Sequence, residues 1–403
     1  MLLLGLVVTV NSWAGRTDVL PEGVFGINLQ LGHMDRLSYR YSESGLYEHL
    51  DRKNSFVVDA QMLSLLDDDA KRLITALDAL SPHRLGSQLS LGLLSIRARP
   101  EVSYWAPALA YGLNKNWTLG IGLPILKYVN HIQVTRSENN IAQVQQQVGG
   151  LSAEIDAGLQ QLAAVDLRDE LKVALSEKGY EPLDGKNDQF LGDIRLMSLW
   201  QFSQSARSQW QLRSTLELPT GPDPNPDDLT DLGAFGNLAF EQKIIRDDNL
   251  GTRDFSLSTE VAAKVFAPKA MIKRVPKDES DVLPAAHSKE EVVRDVAINM
   301  SLGTWMASRL SHWLSGYVGV EYDWKGADKY TGSKDSRYDL LGAPTESYIT
   351  SAVFGVDFST VELFLKQKFA LPMTFNYEFT TSIAGRDIED QQQHIFWLQV
   401  FYK

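Results

Sequence analysis

Residues 210–218 read Trp-Gln-Leu-Arg-Ser-Thr-Leu-Glu-Leu. Side chains of an extended chain alternate between two faces. Trp210, Leu212, Leu216 and Leu218 therefore share one face, and Gln211, Arg213, Thr215 and Glu217 share the other. The same period recurs in 254–261, 313–324 and 361–371. It recurs again at the chain end, where Phe396, Leu398, Val400 and Tyr402 line up. One such strand at a terminus would be a sticky edge in water. A dozen of them, apolar outside and polar inside, form the wall of a transmembrane barrel.

The alternation marks strands near 23–41, 99–112, 116–135, 190–204, 209–219, 236–247, 253–268, 293–308, 312–325, 347–358, 361–381 and 393–402. Each reaches the ~9–11 residues that a tilted spanning strand needs. Connections alternate in length. Short ones at 112–116, 204–209, 247–251, 307–312 and 358–360 separate long ones at 42–98, 136–189, 220–235, 269–292, 326–346 and 382–392. Short turns on one side and long loops on the other are expected when both termini lie in the periplasm. The expected fold is all-β: a transmembrane antiparallel β-barrel of about 12 strands with helical extracellular loops.

The ends and composition agree with export. The first ten residues are an apolar run, followed by Asn11-Ser12-Trp13-Ala14, so a signal peptide over 1–14 is expected, with the barrel occupying 15–403. The positive charges that usually precede such a run are missing. The chain has no cysteine, which suits passage through an oxidising compartment. Beyond the leader no stretch is apolar for the ~18 residues of a spanning helix. A net charge of −12 argues against a nucleic-acid partner. Nine Trp, 14 Tyr and 16 Phe could furnish two interfacial girdles.

Two insertions carry helical spacing, about 56–80 and 141–178. In the second, Ile141, Val144, Val148, Leu151, Ile155, Leu159 and Leu162 recur at steps of three and four. A break is expected near Gly149-Gly150 or Asp166. These helices are expected to pack on each other as a cap, with a plug entering the lumen as the alternative.

Pro124, Pro219, Pro268 and Pro372 close strand segments. Proline has no amide donor for the ladder, so these four are expected at kinks around one rim. The hairpin Tyr111-Gly112-Leu113-Asn114-Lys115-Asn116-Trp117-Thr118-Leu119-Gly120-Ile121-Gly122-Leu123-Pro124 resembles the outer-membrane transporter family linked to aromatic (meta-pathway phenol) degradation. Leu20-Pro21-Glu22-Gly23-Val24 and Leu218-Pro219-Thr220-Gly221 add to the resemblance. That family is related to the long-chain fatty-acid transporter and toluene-channel barrels. The resemblance implies an outer-membrane location in a Gram-negative bacterium and passive uptake of a small organic solute, hydrophobic or aromatic. It covers the barrel and not the helical insertions. The Asn-Pro-Ala hatch signature of fatty-acid transporters is absent, which puts their lateral exit route in doubt here.

The expected lumen face carries Asp193, Arg195, Arg213, Glu217, Glu241, Lys243, Glu260, Lys264, Glu321, Asp323, Lys366 and Lys368. Buried charges must pair or stay hydrated. The set is thus either a register-fixing salt-bridge network or a hydrophilic path. Lys127, Arg136, Lys269, Lys273, Arg274 and Lys277 lie at expected outer ends and could meet lipopolysaccharide phosphates. The C-terminal strand would engage the barrel-assembly machinery. Asp223, Asn225 and Asp227 mimic the start of a calcium loop, but the glycine and closing Glu are missing, so a stiff surface loop is the expectation. No metal or cofactor is expected. His33, His49, His83, His131, His287, His312 and His394 form no metalloprotease or nucleophile-elbow motif. A Ser/His pair on the outer lipid-facing rim would still favour a barrel lipase or protease, and a sealed lumen would favour a structural or surface-interaction role.

Overall fold

The chain folds as a closed 12-stranded antiparallel barrel. A computed structural model describes residues 17–403 except 36, 51–54, 67, 81–83, 138, 151, 232–235, 252–254, 282, 343 and 344. The expected leader, 1–14, lies outside the described residues. Two compact units emerge. One comprises Met1–Glu48, Pro100–Asn130 and Gly185–Lys403; the other comprises His49–Arg99 and His131–Asp184.

The first unit is the barrel. Its strands are β1 (Phe25–Asp35), β2 (Ser90–Asn114, of which 100–114 belong here), β3 (Trp117–Gly122, resuming as Ile125–Arg136, of which 125–130 belong here), β4 (Lys186–Leu191, resuming as Ile194–Gln204), β5 (Ser208–Leu218), β6 (Ala239–Asn249), β7 (Phe255–Phe266), β8 (Asn299–Arg309), β9 (Leu314–Lys325), β10 (Ser347–Ser359), β11 (Met373–Arg386) and β12 (Gln392–Tyr402). Each pairs with its sequence neighbours, and β1 closes the sheet by pairing both β2 and β12. Closure leaves no open edge, so every strand can satisfy its backbone donors inside lipid.

Alternation decides what faces where. Leu31, Trp105, Ile121, Ile244, Val261, Val318, Phe354 and Leu398 are all exposed on the outer face. Such a continuous apolar surface belongs in lipid. At the end carrying the termini, Phe25 packs on Tyr111 at 4.6 Å and Trp313 meets Phe358 edge-on at 5.5 Å. Trp200, Phe202 and Trp210 form a third aromatic group near that end. These rings form a girdle where apolar body and polar tip both find a partner.

The second unit is helical: α1 (Ala60–Leu66), α2 (Asp68–Leu80), α3 (Ile141–Val148), α4 (Ala153–Ala164) and α5 (Leu167–Glu177). Its apolar stripes meet in one core of Ile74, Leu77, Ile141, Val144, Leu159 and their neighbours. The chain breaks at both expected places. Gly150 takes φ +80°, then Ser152 caps α4 through Ile155 N–H, and Asp166 caps α5 through Arg168 N–H. Residues 56–59 are strand, not helix, within Ser55–Asp59.

Three expectations fail. Residues 361–371 are not strand: Val361–Leu365 is a short helix and the strand starts at Met373. Glu362 pairs with Lys366 one turn on at 2.5 Å, and Gln367 ends the helix at φ 55°. Period two and period 3.6 coincide over so few residues, so alternation alone misread this segment. Connection lengths consequently stop alternating, with 360–372 long and 387–391 short. Lastly, 269–292 is no plain loop. Lys269–Arg274, Lys289–Asp295 and Lys329–Gly332 form a separate three-stranded sheet.

Candidate solute cavity in the barrel lumen

The inner face of the barrel, with residues from β1 and β3 through to β12, lines a cavity of about 260 Å³. Ten of the twelve expected lumen residues line it: Asp193, Arg195, Arg213, Glu217, Glu241, Lys243, Glu260, Lys264, Glu321 and Asp323. Lys366 and Lys368 do not. They lie in the turn that follows the short helix after β10, and their side chains are exposed outside the lumen. Pro124 also lines the cavity, at a break shared by two strands. There β3 stops at Gly122, β4 stops at Leu191, and Gly192 N–H donates to the Pro124 carbonyl at 2.8 Å. Pro219 and Pro268 follow the ends of β5 and β7. Pro372 sits at the opposite end, where its carbonyl accepts from Phe401 N–H at 3.0 Å. It is therefore no part of the same rim.

The charges pair across strands. Glu217 accepts from Lys264 at 2.6 Å and lies 3.1 Å from Arg195. Lys243 donates to Glu260 at 2.7 Å, both nearly fully buried. Asp328 is fully buried between Arg294 at 2.6 Å and Lys325 at 2.7 Å. Asp193 accepts backbone N–H from Gly221 and Gly236, tying the loop after β5 to the cavity wall. Glu241 and Asp323, in contrast, have no cation within ion-pair distance among the described residues. Met34, Leu126, Met197, Phe266, Val296 and Ile349 supply apolar wall.

Beneath the cavity the lumen is filled. Trp305 and Trp397 are 1% and 0% exposed. Three rings lie against in-strand glycines: Tyr104 on Gly32 and Tyr317 on Gly355 of the adjacent strand, and Trp305 on Gly319 of the adjacent strand and Gly303 of its own. A Cβ at Gly303 would stand 2.0 Å from the Trp305 ring, so only glycine leaves room. Residues 17–20 then cross this end of the lumen. Thr17 Oγ1 donates toward Gln209 Oε1 at 2.9 Å and Asp247 Oδ2 at 2.7 Å, and Leu20 N–H donates to Thr118 at 2.7 Å. Gln201 and Gln211 donate to the carbonyls of Thr17 and Asp18. Neither the ring layer nor this strap was read from sequence. The in-strand glycines on the polar face were the available signal for the rings.

Outside the lumen two other expectations resolve. Asp227 pairs with Arg274 at 2.6 Å and Lys289 at 2.5 Å, and Asp223 with Lys269 at 2.5 Å. The carboxylates of the calcium-like loop thus hold cations of the chain itself, and Lys269 and Arg274 are engaged there. Partial burial would raise the Asp227 pKa, but hydrogen bonds from Lys289 and Arg274 outweigh it and hold it below the usual range. No cluster of three or more metal-ligating side chains occurs among the described residues. On the lipid-facing side, His33 Nδ1 and Ser103 Oγ are 3.0 Å apart as cross-strand partners. Among the described residues no carboxylate or amide orients the His33 ring, and Ser103 sits within a paired strand. A nucleophile site needs both an orienting group and free oxyanion donors.

Closed sheet, lipid-facing apolar face, aromatic girdle and charged interior define a transmembrane β-barrel of the outer-membrane type. An outer-membrane channel from Pseudomonas putida F1 shares the fold, with a TM-score of 0.51 and 11% identity over 97% of this chain and 99% of that one. A Pseudomonas aeruginosa FadL homologue aligns at TM-score 0.32 and 9% identity, over 94% and 90% of the two chains. The Ralstonia pickettii toluene transporter TbuX aligns at 0.36 and 9%, over 95% and 90%. No family model and no curated protein matches the sequence. The architecture is the one that the resemblance of the 111–124 hairpin implies.

Proposed function

We propose that this chain is an outer-membrane channel of a Gram-negative bacterium for passive uptake of one small organic solute at a time. The observation that carries this is the cavity inside the barrel. A closed apolar space of ~150 Å³ suffices for benzene, so about 260 Å³ accommodates a single-ring or short-chain molecule. Its wall is rich in charged side chains, most of them paired, and an apolar sector of Met34, Leu126, Met197, Phe266, Val296 and Ile349 offers the surface against which such a molecule would pack. Both termini face the periplasm in this reading, and the helical insertions 56–80 and 141–178 face outward. Lipopolysaccharide surrounds the outer end, and the C-terminal strand is the element that the assembly machinery would engage.

The filled floor makes this a gated or solute-specific passage rather than an open pore. Side chains at the floor have to yield for a solute to pass. The enzyme reading rests on His33 and Ser103 alone. The sealed-barrel reading is the stronger rival, because the floor supports it.

The test is liposome swelling with the purified barrel and a panel of single-ring solutes that are neutral, cationic or anionic at equal size. Faster entry of one class than through a barrel carrying Ala262→Trp in the cavity wall supports the proposal. Identical, background entry of all three classes with both proteins sinks it in favour of a sealed barrel. Release of fatty acid from phospholipid that disappears in Ser103→Ala would instead favour the enzyme.

A further inference from the structure

We propose that residues 309–313 and 360–372 form a lipid-binding foot that lies in the headgroup region of the periplasmic leaflet and prefers anionic phospholipid. The two segments meet at the terminus end of the barrel. His312 lies 3.6 Å from Glu362, and Ser359 N–H donates to the Trp313 carbonyl at 2.9 Å. Thr360, fully buried, pins the base: its hydroxyl donates to the Leu371 carbonyl at 2.6 Å and accepts from Met373 N–H at 2.9 Å. A loop fixed this tightly has its side-chain directions set.

Those side chains are the wrong kind for water. Leu365 is 74% exposed and Leu310 66%, with Phe364, Phe369 and Leu371 exposed as well. A soluble surface rarely gathers five large apolar groups on two adjacent turns. They continue the established lipid-facing band: Trp313 rests on Phe358, which follows the exposed Phe354 and Val356 on the outer face of β10. Arg309, Lys366 and Lys368 stand among them, against the single carboxylate of Glu362. Apolar side chains interleaved with cations are what an interfacial segment carries, with stems in the acyl region and charges at phosphate level. The occupant that continuity and charge both fit is the anionic phospholipid surface itself.

The chain has no cysteine, so a single label is clean. Leu365→Cys carries an environment-sensitive dye, and Ser333→Cys in an exposed far-end turn serves as the water reference. Both are reconstituted in vesicles of phosphatidylcholine with phosphatidylglycerol, with folding checked by heat-modifiable gel mobility. Phe369→Cys replaces Leu365→Cys should the latter not fold. The dye at 365 should be shielded from aqueous iodide on both sides of the bilayer. Brominated phosphatidylglycerol should quench it at about five- to 25-fold lower mole fraction than brominated phosphatidylcholine, since each cation near an anionic surface counts for about fivefold and the foot carries a net two positive charges. Lys366→Gln with Lys368→Gln should bring the two lipids to the same curve. Iodide quenching equal to that at Ser333 would overturn the foot, leaving this face to a periplasmic protein. Equal quenching by both lipids in the parent barrel would overturn the anionic preference.

Discussion

The Lys243–Glu260 pair allows a worked prediction. The two groups touch at 2.7 Å on neighbouring strands and are almost inaccessible to solvent. Asp323 and Glu241 stand near enough to feel the same lysine. Lys243→Met therefore removes the cation that Glu260 touches and leaves Arg213, its neighbour across the β5–β6 ladder, to face the carboxylates. Breaking a buried pair from one side costs about 3–5 kcal/mol. Glu260→Gln is gentler, because Lys243 retains two acidic neighbours; the loss of one charge-assisted hydrogen bond sets about 1.5–3 kcal/mol. If Glu260 is the main carboxylate that Lys243 compensates, the double variant should cost about 1–3 kcal/mol less than the two singles summed. The assay is reversible denaturant unfolding in phospholipid vesicles, followed by tryptophan fluorescence and heat-modifiable mobility. Strict additivity would refute the argument, since it would mean that the two groups do not depend on each other.

Leu216→Arg, on the lipid face, should cost about 2–4 kcal/mol if it lies near the bilayer midplane. Its neighbour Glu217→Gln should cost about 1–3 kcal/mol, more than an ordinary lumen change, because it strands Arg195 and Lys264 together; unfolding in vesicles checks both, and equal tolerance would contradict the faces. With Glu241 and Asp323 unpaired, a leaky barrel should pass cations over anions. Glu241→Gln with Asp323→Asn should shift its reversal potential in a salt gradient toward zero, and no shift would remove the cavity from the ion path. Asp227 titrates below its unfolded value near 3.9, so its contribution is present above that value and lost as pH falls through the folded pKa. Protease clipping of the 220–231 loop should rise below about pH 4 in the parent, and Asp227→Asn should be clipped at neutral pH already.

Much of the barrel was legible because its signal is repeated. Each strand is only weakly marked, but a polar lumen and an apolar belt force the same alternation twelve times. Edges therefore fell within a few residues for β5, β9 and β12. The segment 361–371 was misread because a short helix and a strand both put Leu363 and Leu365 among apolar neighbours, and only its Glu362–Lys366 spacing spoke for a helix. The sheet built from Lys269–Arg274, Lys289–Asp295 and Lys329–Gly332 was invisible because its pairing is non-local. At the cavity, alternation placed the charges on the inner face but not their partners. Nothing local tells that Asp328, outside every strand, is shared by Arg294 and Lys325. The strap at 17–20 was equally silent, since its hydrogen bonds reach partners up to 230 residues away.

The rings laid against Gly32, Gly303, Gly319 and Gly355 give the barrel a proofreading device. The smallest strand slip that keeps apolar residues outside is two residues. Slipping β8 against β9 by two would replace Gly319, opposite Trp305, with Tyr317 or Glu321. The indole would then meet a side chain where it now lies in a groove, and the misaligned hairpin could not close without expelling the ring. Misregistered barrels are thus disfavoured by volume alone, independently of any charge pair that rewards the right alignment.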